Sequence, residues 1–121
     1  MTPEGIVKRD IKKILVSLGF QQAGAAPVDD PSVGWYFMPA NNGMGAGGIP
    51  DFMGVYCTWP IAIEAKARDG RVRALQEQRR DEMVPAGYIW LLIDPTNVNK
   101  LAQLLAEALK EKHDTNQRRS R

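Results

Sequence analysis

The chain holds a single cysteine, Cys57, so no disulfide can form within it and a reducing, cytoplasmic setting is expected. It contains no run of about 18 apolar residues, so no membrane-spanning helix is expected. Its first ten residues, MTPEGIVKRD, carry acids and no apolar stretch, unlike a secretory signal. An excess of one charge is also lacking: the net charge is +2, so the molecule as a whole is no polycation. There is no internal repeat and no domain linker, and 121 residues fit one domain with one core. The glycine-rich stretch ANNGMGAGG (40–48) lacks the Lys-Ser/Thr ending of a phosphate-binding P-loop.

What is present is a clear alternation of periodic segments. Residues 3–18 read as an amphipathic helix, with Ile6, Val7, Ile11, Ile14, Leu15 and Leu18 on one face, Thr2 as cap, Pro3 in the first turn and Gly19 at the end. Residues 21–32 read as loop. VGWYFMP (33–39) reads as a short strand, and 40–48 as a loop. DFMGVYC (51–57) and PIAIEAKA (60–67) read as a hairpin joined at Thr58-Trp59. Residues 71–85 are mostly helical with Val72, Leu75 and Met83 inward, and Gly87 breaks the helix. The apolar run YIWLLID (88–94) reads as a strand covered on both faces. A helix follows over 96–112, with Val98, Leu101, Leu105 and Leu109 inward. Residues 113–121 have no apolar content and are expected to be a disordered basic tail beyond a single domain of 1–112. The order αβββαβα predicts an α/β fold. In its mixed sheet, 51–57 and 60–67 pair antiparallel, while 60–67 and 88–94 pair in parallel through a crossover.

The informative anomaly is the end of the third strand. Glu64 and Lys66 alternate with apolar residues, so they share one face while Ile61 and Ile63 take the core face. Asp51 opens the preceding strand behind a Gly-x-Pro turn. With the turn at Thr58-Trp59, seven steps lead from Asp51 to Thr58 and five from Trp59 to Glu64, so the acids meet only if a bulge or twist closes the difference. Two carboxylates at one point repel unless a cation lies between them. Hard oxygen ligands with no His or Cys nearby suit Mg²⁺ or Mn²⁺ rather than Zn²⁺. Such a metal polarises a phosphate and lowers the pKa of a bound water, and a neighbouring lysine positions that water or stabilises the developing charge. That is the equipment of phosphodiester hydrolysis. A Glu-x-Lys alone reads as an ordinary cross-strand pair; the Asp after Gly-x-Pro, in this element order, is what lifts it. From Lys66 to Arg80 six cations (66, 68, 71, 73, 79, 80) face two acids (Asp69, Glu77), which is either a solvated helix face or a phosphate-binding surface.

These residues resemble the PD-(D/E)XK nucleases, in Pro50-Asp51 followed by Glu64-Ala65-Lys66. Within that superfamily the chain looks most like a standalone virus-type replication-repair nuclease (VRR-NUC) domain. GGIPDFMGV (47–55), IAIEAKARDGRVRALQEQRRDEMVPAGY (61–88) and the first helix TPEGIVKRDIKKIL carry the likeness, which covers the chain to about residue 110. The resemblance implies a restriction-endonuclease-like core and a Mg²⁺- or Mn²⁺-dependent endodeoxyribonuclease. By that likeness Asp51, Glu64 and the Ala65 carbonyl hold the metal and Lys66 is the catalytic lysine. Gln76, eleven positions before Gly87, matches the family's glutamine; its plain reading is a helix-surface residue. Glu4 matches the family's first-helix acid, and is either a metal ligand or an acid favoured by the helix dipole. The family often has Ser/Thr and Pro before the glutamine and His four residues after it. Here these are Arg73, Ala74 and Arg80, which alters how the helix would meet DNA. Arg68, Arg71, Arg73 and Arg80 are the candidate DNA contacts. Standalone members resemble Holliday-junction resolvases and act as homodimers. The implied partner is therefore branched or four-way DNA, read through its phosphates, in a bacterial or phage-infected cell. Two alternatives stay open: a non-catalytic DNA- or partner-binding module, and a flap or duplex nuclease of restriction type.

Other residues have plainer readings. Trp35, Tyr36 and Phe37 either stack on bases or form core or interface. The loop 43–48 is either a flap over DNA or a flexible turn. Cys57 reads as a packed strand residue, His113 as a tail residue without catalytic role, and Arg118, Arg119 and Arg121 as nonspecific DNA contacts or a solvated tail.

Overall fold

The computed structural model describes residues 1–40 and 47–119. The flap reading of 43–46 and the Arg121 contact lie outside the described residues. Helix α1 (Pro3–Ser17) begins where the sequence places a cap: the Gly5 N–H donates to the Thr2 hydroxyl at 3.0 Å, and Pro3 sits where a missing N–H costs nothing. Val7, Ile11 and Leu15 are buried, with Ile14 and Leu18 packed beside them; Ile6, expected inward, is exposed. Each buried aliphatic side chain contributes roughly 1.5–3 kcal/mol.

Five strands form one mixed sheet in sequential order: β1 (Gln21–Gln22), β2 (Gly34–Phe37), β3 (Phe52–Tyr56), β4 (Trp59–Ala65) and β5 (Ile89–Ile93). β2–β3 and β3–β4 are antiparallel, while β4–β5 is parallel, as the hairpin and crossover readings require. β1, parallel to β2, falls in the segment expected to be loop; two residues carry no periodicity to detect.

One face of the sheet presents Tyr36, Phe52, Ile61, Ile63, Ala65, Ile89 and Ile93 to α1 and to α3 (Leu101–Arg119), which adds Leu101 and Leu105. Val98, in a 3₁₀ turn over Val98–Lys100, completes this core. The opposite face carries α2 (Ala74–Met83), whose Gln76 and Arg80 reach Glu64 and Trp90 on β4 and β5. α2 covers only that side. Trp35, Phe37 and Val55, which share its face, are 42%, 38% and 40% exposed.

The structure corrects several expectations. α2 starts at Ala74 rather than Arg71 and has no buried residue; Leu75, expected inward, is half exposed. β5 is buried on the side of Ile89 and Ile93, but Leu92 is exposed because α2 does not extend over it. The segment 113–119, expected to be disordered, continues α3 to Arg119. A helix already nucleated over two buried leucines extends at little cost, and Thr115 Oγ1 donates to the Glu111 carbonyl. His113 is thus an exposed helical residue. Among the described residues no helix is long and apolar enough to cross a membrane.

Candidate functional site

The hairpin brings Asp51 and Glu64 together without a bulge. Tyr56 pairs with Trp59 and Phe52 with Ile63, and one further step sets Asp51 opposite Glu64. The turn is Cys57-Thr58, one residue earlier than expected, with φ of +47° and +73°. Two left-handed central residues make the tight turn whose twist suits a hairpin, normally supplied by Asn-Gly. Cys-Thr hides it, and Cys57 belongs to this turn rather than to a packed strand.

Pro50 explains the next feature. The Lys66 N–H donates to the Ile93 carbonyl at 2.9 Å, so even-numbered peptide groups at this end of β4 face β5 and odd-numbered ones face β3. The residue that continues the register opposite Ala65 is Pro50, which has no N–H. Asp51 takes over the pairing: its Oδ2 accepts the Ala65 N–H at 2.8 Å. The Ala65 carbonyl turns to the same side and gains no ladder donor from Pro50.

Asp51 Oδ1 lies 3.3 Å from Lys8 Nζ, and Lys8 Nζ lies 3.8 Å from Glu4 Oε2 one turn earlier on α1. Glu64, 2% exposed, accepts from Gln76 Nε2 at 3.0 Å through Oε1, which also lies 3.8 Å from Lys66 Nζ. Its Oε2 is buried with no hydrogen-bond partner among the described residues. Burial pushes the Glu64 carboxyl up to about 8; the neighbouring Asp51 adds to the rise, Lys66 opposes it, and Glu4 adds a smaller push. Lys66 is itself buried on the same face.

Gln76 is more than a surface residue. Its Oε1 accepts the Arg73 N–H at 2.9 Å, half of a capping box, while its Nε2 holds Glu64. The start of α2 is thereby tied to the carboxyl pair. A second tie comes from the glycines before Asp51. Gly48 has φ of +81°, and a Cβ there would lie 2.4 Å from the Leu75 backbone; Arg79 Nε donates to the Gly47 carbonyl at 2.9 Å. A side chain at Gly48 would force the loop away from α2.

The structure brings together Asp51, Glu64, Ala65, Lys66 and Gln76. Glu4 stands at the rim, joined to Asp51 through Lys8, and no group of three or more His, Cys, Asp or Glu side chains gathers at one point among the described residues. Arg68, Arg71 and Arg73 are exposed, and no acid among the described residues pairs with them. Arg80 is engaged, 5.6 Å above the Trp90 ring and 3.4 Å from Asp81 Oδ1. Sequence reasoning missed Lys8, whose only signal is an i,i+4 spacing from Glu4 that ordinarily marks a surface pair. Tyr36 is buried core, whereas Trp35 and Phe37 are exposed with ring centroids 5.5 Å apart. No family model, curated protein or solved structure matches the chain.

Proposed function

We propose that this protein is a metal-dependent DNA endonuclease on a restriction-endonuclease-like core. The observation that carries the reading is the buried Glu64 carboxyl, one oxygen of which has no hydrogen-bond partner among the described residues, set opposite Asp51 with Lys66 beside it. An unpaired buried polar atom costs about 1–3 kcal/mol, and a cation between the two acids would remove that cost. The donor set fits Mg²⁺ or Mn²⁺: two carboxylates, the Ala65 carbonyl turned to the same side, and no sulfur or imidazole among these groups. Bound there, such an ion would supply Lewis-acid polarisation of a phosphate and activation of water.

The chain's own residues supply the rest. Asp51 is oriented by the Ala65 N–H, and Gln76 orients Glu64. Lys66, buried beside Glu64 with its Nζ 3.8 Å from Oε1, would stabilise charge that develops on a phosphate oxygen. Arg68, Arg71 and Arg73, exposed and without an acidic partner among the described residues, would offer cations to the DNA backbone next to it. The exposed half-face of Trp35, Phe37 and Val55 supports a homodimer, and a two-fold dimer would offer two sites to a four-way junction.

Cleavage of end-labelled DNA tests this on a four-way junction, a flap, plain duplex and single strand, each with Mg²⁺, Mn²⁺ or EDTA. We expect metal-dependent, symmetric cuts in the junction, abolished by Lys66→Ala or Asp51→Asn with the circular-dichroism spectrum unchanged. Cuts in every duplex would remove the junction selectivity and keep the nuclease. Binding without cuts under either metal would instead mean a non-catalytic DNA-binding module.

A further inference from the structure

We propose that the Lys8 ammonium is a resident counter-ion of Asp51 that a divalent cation must displace, and that Glu4 receives it, so that the Glu4–Lys8 pair sets the threshold for metal loading. This rests on the reading of Asp51 and Glu64 as a metal site. Of the two Asp51 oxygens, Oδ2 accepts the Ala65 N–H. The other, Oδ1, is the one Lys8 holds at 3.3 Å. A cation held by Asp51 and Glu64 would therefore sit beside an ammonium already paired with Asp51, and two cations on one carboxylate repel.

Lys8 cannot withdraw with its helix. Val7 and Ile11, which flank it on α1, are buried and fix the backbone. The freedom lies in its four-carbon stem, and the side chain is one-third exposed. One turn back, Glu4 Oε2 already lies 3.8 Å from the same ammonium, a second carboxylate within a small swing. Glu4 is then not a ligand of the ion but the acceptor of the cation that it displaces. Its outward position, with the side chain 43% exposed, suits that role better than coordination beside a buried Glu64.

The test is Mn²⁺ binding to the whole protein without DNA, followed by calorimetry and by the electron paramagnetic resonance of the free ion. Lys8→Met removes the ammonium and keeps the stem; it should bind Mn²⁺ about tenfold more tightly than wild type, or ~1.4 kcal/mol. Lys8→Arg should show no gain. Glu4→Gln should weaken binding several-fold in the wild-type background and much less in Lys8→Met, because without the ammonium nothing needs receiving. Mn²⁺ affinity unchanged or weaker in Lys8→Met overturns the proposal, as does an equal loss from Glu4→Gln in both backgrounds, which would make Glu4 a direct ligand. Lys8→Gln gives the same comparison should Lys8→Met not fold. Asp51→Asn separates the two levels: wild type binding no Mn²⁺, or Asp51→Asn binding like wild type, removes the metal site itself.

Discussion

At Glu64, burial and the neighbouring Asp51 act against ionisation, while Lys66 alone of its near charges favours it. The consequence has a definite sign. The carboxyl of the unfolded chain ionises near 4.5, and that of the folded chain near 8. Between those values the folded protein binds the extra proton, so stability falls as pH rises. In EDTA, the melting temperature of wild type should drop from pH 5 to pH 8, with a slope of up to about 1.4 kcal/mol per pH unit. Glu64→Gln, which keeps the shape and cannot ionise, should lose most of that slope. Parallel pH profiles for the two proteins would mean that Glu64 ionises freely in the folded chain.

Among the three helices, α2 is the one held least by apolar burial. It has no buried residue, and its position rests on Gln76, on Arg79 at Gly47 and on Arg80 over Trp90. Gln76→Ala removes both a helix cap and the donor to a buried carboxylate, and should cost about 1–3 kcal/mol in urea denaturation. A loss below about 0.5 kcal/mol would show that other contacts place α2. The same weakness explains what the sequence made legible. Helices α1 and α3, with buried stripes and, for α1, a cap, were readable from periodicity; so were the hairpin and the parallel crossover. The inward face assigned to α2 was not there to be read, because polar ties rather than a stripe hold it. The two-residue β1 and the extension of α3 over 113–119 leave no pattern in hydrophobicity at all.

For the molecule as a whole, the unequal covering of the sheet matters most. One face is sealed by α1 and α3, while beside α2 the other leaves Trp35, Phe37 and Val55 in the open. If that half-face joins two copies, sedimentation should give a dimer for wild type and a monomer for the double substitution Trp35→Lys, Phe37→Lys, with melting otherwise similar. A wild-type monomer at micromolar concentration would leave the apolar patch without this role. The site was more legible than this surface. Asp51, Glu64 and Lys66 stand out by residue type at fixed intervals and Gln76 only through the family resemblance, whereas Lys8 joins them through the packing of α1 against the sheet, which no local pattern records.

The tight turn at Cys57-Thr58 makes the hairpin a ruler. Paired positions from Tyr56–Trp59 to Phe52–Ile63 follow one count, and that count alone sets Asp51 against Glu64. Side chains along the two strands can change and leave the carboxyls in place. An odd residue added or removed anywhere between them cannot be absorbed by that turn, and would turn one acid to the other face of the sheet. For this protein the length of the twelve intervening residues sets the carboxyl pair in place as surely as the identity of the acids that bound them.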